Sequence, residues 1–326
     1  MADTIQRMPS VLLVKTSSMG DVIHCLPAVT DLHRHCPELV IDWVVEEGFA
    51  DIPRLHPAVD RVIPVAIRRW RKHPFDRQVR QQFGVFRQQL QQRHYDLVID
   101  AQGLIKSAWI GRLVDSVTCG YDRNSIREPL ASWFYRRRFA VGRELHAVER
   151  NRLLVAKALN YLPESPVDYG LQITPAGFDW LPPSAYVVAL HATSRSDKEW
   201  PEAAWIEIGR RLVQQGLALI LPWGSTIELE RAQRLAGGLP NAVVAPRLDL
   251  ASAAGLLAGA KLVIGVDTGL THLAAAVAVP AIALYCASEP GLTGVLGSAF
   301  HVNLGSNGSP PDIETTWRQV QRALNQ

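Results

Sequence analysis

Cysteine is scarce in this chain and never clustered. Cys25, Cys36, Cys119 and Cys286 include no Cys-x-x-Cys pair, so neither a zinc ribbon nor a disulfide frame is expected. Free thiols in a reducing compartment are. No run of about 18 apolar residues occurs, which excludes a membrane-spanning helix. The opening stretch MADTIQRMPS lacks an apolar core of signal-peptide length, and a cytoplasmic protein is expected. Two chemical signatures are missing as well. The first strand–helix turn has one glycine where the dinucleotide fingerprint G-x-G-x-x-G needs three, which disfavours an oxidoreductase on twin Rossmann domains. No Asp-x-Asp triplet offers a metal clamp for a nucleotide diphosphate. No repeat of 20–50 residues is visible either.

What is present fits a folded protein of two domains. The 326 residues are 48% apolar and 20% charged, too long for one ordinary core and too apolar for disorder. Net charge is only +3, but its distribution is uneven. Arg68-Arg69-Trp70-Arg71-Lys72 and Arg136-Arg137-Arg138 both fall in the first half. Such clusters suit a phosphorylated lipid, an acidic sugar or nucleic acid, or else form a solvated basic face.

Short β-branched runs alternate with helical patterns throughout. Strands are predicted at 11–15, 40–45, 62–66, 97–100 and 117–120, with helices at 76–93 and 146–159. Residues 161–183 lose periodicity and are rich in Pro and Gly, so the domain linker is placed there, dividing the chain into 1–170 and 171–326. A second series follows, with strands at 186–190, 217–221, 242–244, 262–266 and 282–285. Helices at 202–215, 228–236, 250–258, 273–277 and 313–324 accompany it. The expectation is α/β: two Rossmann-like, doubly wound parallel sheets facing each other across a central cleft. Ligands of such sheets bind at the carboxyl ends of the strands.

Four segments at those ends could carry chemistry. Lys15-Thr16-Ser17-Ser18-Met19-Gly20-Asp21 closes the first strand, and its small residues permit close backbone approach to a ligand. Asp21 there suits either a helix cap or a general base. In His191–Trp200, the hydroxyls of Thr193 and Ser194 and the ammonium of Lys198 could hold phosphate oxygens, or form a solvated turn. Val266-Asp267-Thr268-Gly269-Leu270-Thr271-His272 runs from a buried strand into a helix N-terminus, again a phosphate-cradling layout, with His272 facing a phosphate or packing. Glu228, after Pro222-Trp223-Gly224, could accept both hydroxyls of a ribose or lie on a helix surface. Three of the four lie in the second half and converge on one sheet edge, as a nucleotide diphosphate site would require.

Taken together, several segments resemble one family. Lys15–Asp21, Arg68–Lys72, Arg127-Glu128-Pro129-Leu130-Ala131-Ser132, His146-Ala147-Val148-Glu149-Arg150, Lys198–Pro201, Pro222–Gly224 and Val266–His272 are similar, in order from Val11 to Gly291, to the ADP-heptose transferases of glycosyltransferase family 9. The Arg68–Lys72 and Arg127–Ser132 segments look more like the branch that adds the first heptose of lipopolysaccharide. The resemblance implies a GT-B fold and an inverting, metal-independent transfer needing no cofactor, from ADP-L-glycero-β-D-manno-heptose to Kdo of Kdo2-lipid A. It implies Asp21 as base, with Lys198 stabilising the leaving ADP. Thr193, Ser194, Lys198, Glu228, Asp267, Thr268, Gly269 and His272 would bind the donor, and Ser18, Gly20, Arg68, Arg69, Arg71 and Lys72 the acceptor. The family pattern after the strand at 282–285 is not matched by Tyr285-Cys286-Ala287-Ser288-Glu289-Pro290, so that loop is left out of the expected site. A peripheral position on anionic lipid at the cytoplasmic face of the inner membrane is expected, with Trp70, Trp133, Phe134 and Tyr135 near the headgroups. The competing readings are a second-heptose transferase, another nucleotide-sugar transferase of this fold, or a non-catalytic nucleic-acid binder. The balanced charge and two enzyme-like domains speak against nucleic acid as a partner.

Overall fold

A computed structural model describes residues 8–73, 75–163, 166–297 and 299–325. The chain divides into two units, Met1–Pro166 and Val167–Gln326. The first holds six strands: β1 (Ser10–Val14), β2 (Val40–Glu46), β3 (Val59–Val65), β4 (Leu97–Asp100), β5 (Val117–Tyr121) and β6 (Arg137–Phe139). They form one parallel sheet in the order β3-β2-β1-β4-β5-β6. The second unit holds β7 (Tyr186–Leu190), β8 (Ala218–Leu221), β9 (Ala242–Val244), β10 (Leu262–Val266), β11 (Ala281–Tyr285) and β12 (His301–Gly305). Its parallel sheet runs β12-β11-β10-β7-β8-β9. Counted from the first strand of each unit, both sheets have the order 3-2-1-4-5-6. Each therefore has a point, β1/β4 and β7/β10, where the winding reverses and loops open apart at the carboxyl edge.

The central strands are apolar on both faces because helices cover both. Every residue of β1, β4, β7 and β10 is buried, as parallel sheets require. The amphipathic helix Glu202–Gln214 lays Trp205, Ile208 and Leu212 on the second sheet. Burial of each such side chain contributes about 1.5–3 kcal/mol. The helix Arg77–Gln91 does the same for the first sheet with Phe86 and Leu90, and Asp76 caps its start by accepting from Gln78 N at 2.7 Å.

Two strands are missing from the sequence reading, β6 and β12, and both are edges. An edge strand pairs on one side only and keeps a wet face, so it lacks the apolar run that marks a central strand. The basic cluster Arg136–Arg138 falls here: Arg137 and Arg138 lie on β6 and are exposed. The division between units also differs from the one expected after residue 170. Tyr169 Oη donates to Leu296 O at 2.8 Å and Ala176 N donates to Gly255 O at 3.1 Å. The irregular stretch from Val167 onward is thus tied to the second unit. Among the described residues, no helix is long and apolar enough to cross a membrane.

Candidate active site

In the second unit the expected residues gather where β7 and β10 part. Thr193 follows β7, and its hydroxyl donates to the backbone oxygen of Asp267, at the end of β10, at 2.9 Å. Lys198 Nζ lies 2.6 Å from Asp267 Oδ2, and Ser288 Oγ donates to the same oxygen at 2.6 Å. His272 Nε2 stands 3.9 Å from Asp267 Oδ1. Burial alone would raise the Asp267 carboxyl. Hydrogen bonding with His272, Lys198 and Ser288 overcomes that and holds it well below the usual carboxylate range. Asp267 is therefore ionised at any physiological pH and fixes the ammonium of Lys198, which is mostly buried, in one place.

Neighbouring packing positions both partners. Lys198 ends a short turn, Ser196–Lys198, directly before the buried Trp200. Trp200 Nε1 donates to Pro311 O at 2.9 Å, and Arg231 donates to Trp200 O at 2.6 Å while pairing with Glu199 at 3.0 Å. On the other side, β10 leads into the helix Gly269–Ala276 with Thr268 as its N-cap. Thr271 Oγ1 returns a bond to Val266 O at 2.7 Å. That packing needs a glycine beneath it, because a side-chain carbon at Gly265 would collide with Thr271 Oγ1. In the first turn Thr271 N donates to the N-cap oxygen of Thr268 at 3.1 Å, and the start of the helix carries the positive end of its dipole. An ammonium, hydroxyls and a helix N-terminus converge here, a set suited to the oxygens of a phosphate.

Two expected donor residues stand slightly apart. Ser194 is exposed on the same loop. Glu228 lies in the first turn of the helix Thr226–Gly237, where its Oε2 accepts from Gly224 N at 2.7 Å and Ser225 caps the turn. One of its carboxylate oxygens is thereby committed to the backbone. Sequence reasoning missed Ser288. The loop after β11 was set aside for its unfamiliar pattern, yet its place at a strand carboxyl end was a sufficient signal.

The first unit fills the corresponding point, where β1 and β4 part, with its own side chains. Lys15 is buried and donates to Ala101 O at 2.9 Å. Gln102 Oε1 accepts from Thr16 N at 2.8 Å and Ser17 N at 2.9 Å, taking two amides of the Lys15–Asp21 turn. Gln102 is set by its neighbours: Gly103 has φ +70°, and Asp100 accepts from Gln102 N, Gly103 N, Ser107 Oγ and Tyr135 Oη at 2.7–3.1 Å. Burial raises the Asp100 carboxyl, with those four donors opposing. Asp21 sits in the short helix Met19–Ile23 with Gly20, and its Oδ2 accepts from Ser18 N at 2.7 Å and Ser18 Oγ at 3.0 Å. It does act as a cap, and both of these bonds fall on one oxygen.

The basic segment lies beside this turn. Glu46 N, at the end of β2, donates to Thr16 O at 3.0 Å, while Glu46 Oε1 accepts from Arg68 N at 3.0 Å. Arg69 forks onto Glu47 at 2.9 and 3.1 Å and reaches Gln82 at 2.7 Å, so its charge is already matched. Arg68 stacks over Phe49, 5.7 Å from the ring centre. Arg71 and Lys72 are exposed and join no ion pair among the described residues. Arg71 lines a cavity of about 840 Å³.

The profile of glycosyltransferase family 9 (heptosyltransferase) matches residues 84–319. Lipopolysaccharide heptosyltransferase 1 of Pseudomonas aeruginosa is 55% identical over 299 residues, covering 91% of this chain and 84% of that one. The structure of E. coli heptosyltransferase WaaC with ADP superposes with a TM-score of 0.89 at 45% identity, covering 96% of this chain and 99% of its own. The same E. coli enzyme with ADP-2-deoxy-2-fluoro heptose gives 0.85 at 44% identity, with 96% and 99% covered. The α/β architecture of two parallel six-stranded sheets is that of the GT-B heptosyltransferases. This chain is a glycosyltransferase, and it belongs to family 9, the heptosyltransferases of lipopolysaccharide biosynthesis.

Proposed function

We propose that the chain transfers L-glycero-D-manno-heptose from ADP-heptose to Kdo of Kdo2-lipid A, with inversion and without a metal ion or cofactor. The observation that carries the donor half is the convergence of Lys198, Ser288, Thr193 and the helix Gly269–Ala276 around Asp267. As the bond between the anomeric carbon and the phosphate oxygen breaks, ADP leaves with the electron pair. Its new charge meets the Lys198 ammonium and the first-turn amides. Ser194, Glu228 and His272 complete the donor set, with the second oxygen of Glu228 for a ribose hydroxyl.

On the acceptor side, a Kdo hydroxyl attacks the face opposite the leaving ADP and gives its proton to Asp21, whose Oδ1 takes no part in the Ser18 cap. Ser18 and Gly20 frame that carboxylate. Arg68, Arg71 and Lys72 hold the acceptor's carboxylates and phosphates, with Arg69 kept beside them by its fork onto Glu47. A lipid acceptor and this exposed basic segment support a peripheral enzyme on anionic lipid at the cytoplasmic face of the inner membrane.

The test is ADP release from ADP-heptose with Kdo2-lipid A in EDTA, wild type beside Asp21→Ala. We expect acceptor-dependent release that EDTA leaves unchanged and that falls by roughly 10²–10⁴-fold in the variant, while the variant still binds ADP. Equal release by the variant would leave Asp21 as a cap alone. Loss of release in EDTA, restored by a divalent cation, would end the metal-free reading.

A further inference from the structure

The acceptor half of the reaction leaves one large feature of the first unit without a task. Between the segment 65–71, the helix Arg77–Gln91 and the helix Ile105–Gly111 lies the cavity of about 840 Å³ that Arg71 borders. Such a volume falls in the ~300–1,000 Å³ range of small-molecule sites. Its walls are aromatic and aliphatic: Trp70, Val79, Phe83, Phe86 and Trp109 line it. Phe83 stacks on Trp109 with ring centres 5.6 Å apart, and Trp70 meets Phe86 edge-on at 5.8 Å. These rings are not sealed from solvent, since Trp109 is 46% exposed. Nearby, Leu130 and Trp133 are 52% and 66% exposed on the short helix Pro129–Phe134, whose Phe134 also lines the cavity. An open apolar hollow ringed by large exposed apolar residues marks a surface built to be covered.

The charges on its border say by what. Arg71, Arg80 and Lys106 line it, and none joins an ion pair among the described residues. Among the described residues that line it the one acid is Glu128, whose Oε2 accepts from Ile105 N at 2.8 Å. A protein helix would need only the apolar wall, and a nucleic acid only the cations. An apolar hollow bordered by three cations and a single carboxylate fits a molecule with an apolar tail and an anionic head. Arg71 also joins the hollow to the basic segment that receives the acceptor's headgroup in the function proposed above. We propose that this cavity takes an acyl chain of the lipid acceptor, with the anionic head of that lipid resting on Arg71, Arg80 and Lys106. The inference rests on the acceptor being a phosphorylated glycolipid.

The test pairs direct binding with kinetics. Val79→Phe fills the hollow while leaving the residues of the basic segment, Asp21 and the second unit unchanged in sequence. A 12-carbon alkyl phosphate brominated at its tail end, used below its micellar concentration, is the direct probe, because Trp70 and Trp109 line the site and bromine quenches indole fluorescence. We expect saturable quenching in the wild type, competed by the unbrominated compound and absent with inorganic phosphate. Shortening the tail should weaken binding by up to about fourfold per methylene. Val79→Phe should weaken binding by about tenfold, the loss of between one and two buried methylenes. In the same variant, KM for acylated Kdo2-lipid A should rise by a similar factor while KM for its deacylated counterpart stays put. Absence of quenching in the wild type overturns the cavity assignment, as does a variant that shifts KM for both acceptors alike. A wild type that binds the probe but turns over neither acceptor overturns the assignment of the tail to the acceptor, together with the function it rests on.

Discussion

The two halves of this chain are built on one plan and use it in opposite ways. Each is a six-stranded parallel sheet with the order 3-2-1-4-5-6, and each parts its loops between its first and fourth strands. In the second unit that point holds an ammonium, two hydroxyls and a helix N-terminus around one ionised carboxylate. In the first unit the loop amides of Thr16 and Ser17 are already taken by Gln102, and the cation Lys15 is turned inward to Ala101 O. A switch point thus offers loop geometry and a place. Whether it becomes an anion site depends on whether neighbouring side chains are left over for a ligand or spent on the loop itself. The first unit keeps its spare chemistry one step outward instead, on Asp21, Arg71 and Lys72 and in the apolar hollow beside them.

The largest effect should come from breaking the second unit's arrangement. Lys198→Ala is expected to lower kcat by ~10²–10³-fold, the loss typical of one group that stabilises developing charge. The melting temperature should move little, because Ser288 and His272 still face Asp267. A kcat within a few-fold of wild type in steady-state ADP release would mean that the second switch point is not where the leaving group is stabilised.

A second effect concerns stability against pH. His191 is fully buried at the end of β7. Burial first, and then repulsion from Arg231, lowers its pKa from 6.5 to about 4. As pH falls the unfolded imidazole takes up its proton before the folded one. The fold is therefore fully stable above pH 6.5 with respect to this group, and loses stability between 6.5 and 4. A shift of this size corresponds to about 3 kcal/mol across that window. His191→Gln should flatten this part of the stability profile in urea titrations, and an unchanged slope would assign it to other groups. The first unit buries histidines of its own, His24 and His56, so His191→Gln isolates the share that belongs to the second unit.

The smallest expected effect sharpens the comparison from the other side. Gln102→Ala withdraws the acceptor from two amides and should lower stability by about 1–3 kcal/mol, the desolvation cost of unsatisfied buried groups. ADP binding by the second unit should stay as in the wild type when followed by calorimetry. If ADP affinity falls as far as stability does, the first switch point contributes to the donor site and the contrast between units is wrong.

Much of this was legible in the sequence, and the gaps have physical causes. The buried strands β1, β4, β7 and β10 announce themselves as continuous apolar runs, because both their faces are covered. The edges β6 and β12 do not, since half of each is wet and their residues, Arg137 and Asn303 among them, read as surface. Lys198, Asp267 and His272 were recognisable because they sit at strand ends, where parallel sheets place ligands. Ser288 sits at such an end too and was lost to an unfamiliar loop. Gln102 could not have been chosen, because nothing local tells a side chain that will fill its own loop from one that will face a ligand. Asp21 fits both roles in sequence, and its bonds to Ser18 occupy one oxygen while leaving the other uncommitted.

By itself the sequence determined the alternation of strand and helix, the parallel winding and the strand ends at which chemistry gathers. All of these follow from apolar periodicity and from glycine and cap residues, which act over a few neighbours. Only the tertiary structure decided which polar groups meet. The contacts Lys198–Asp267, Ser288–Asp267 and Gln102–Thr16 join residues far apart along the chain. The aromatic hollow beside Arg71 is assembled from segments spread over residues 65–134. A hydrogen bond or a cavity wall depends on distances of a few ångströms between such segments, and no local pattern encodes that distance.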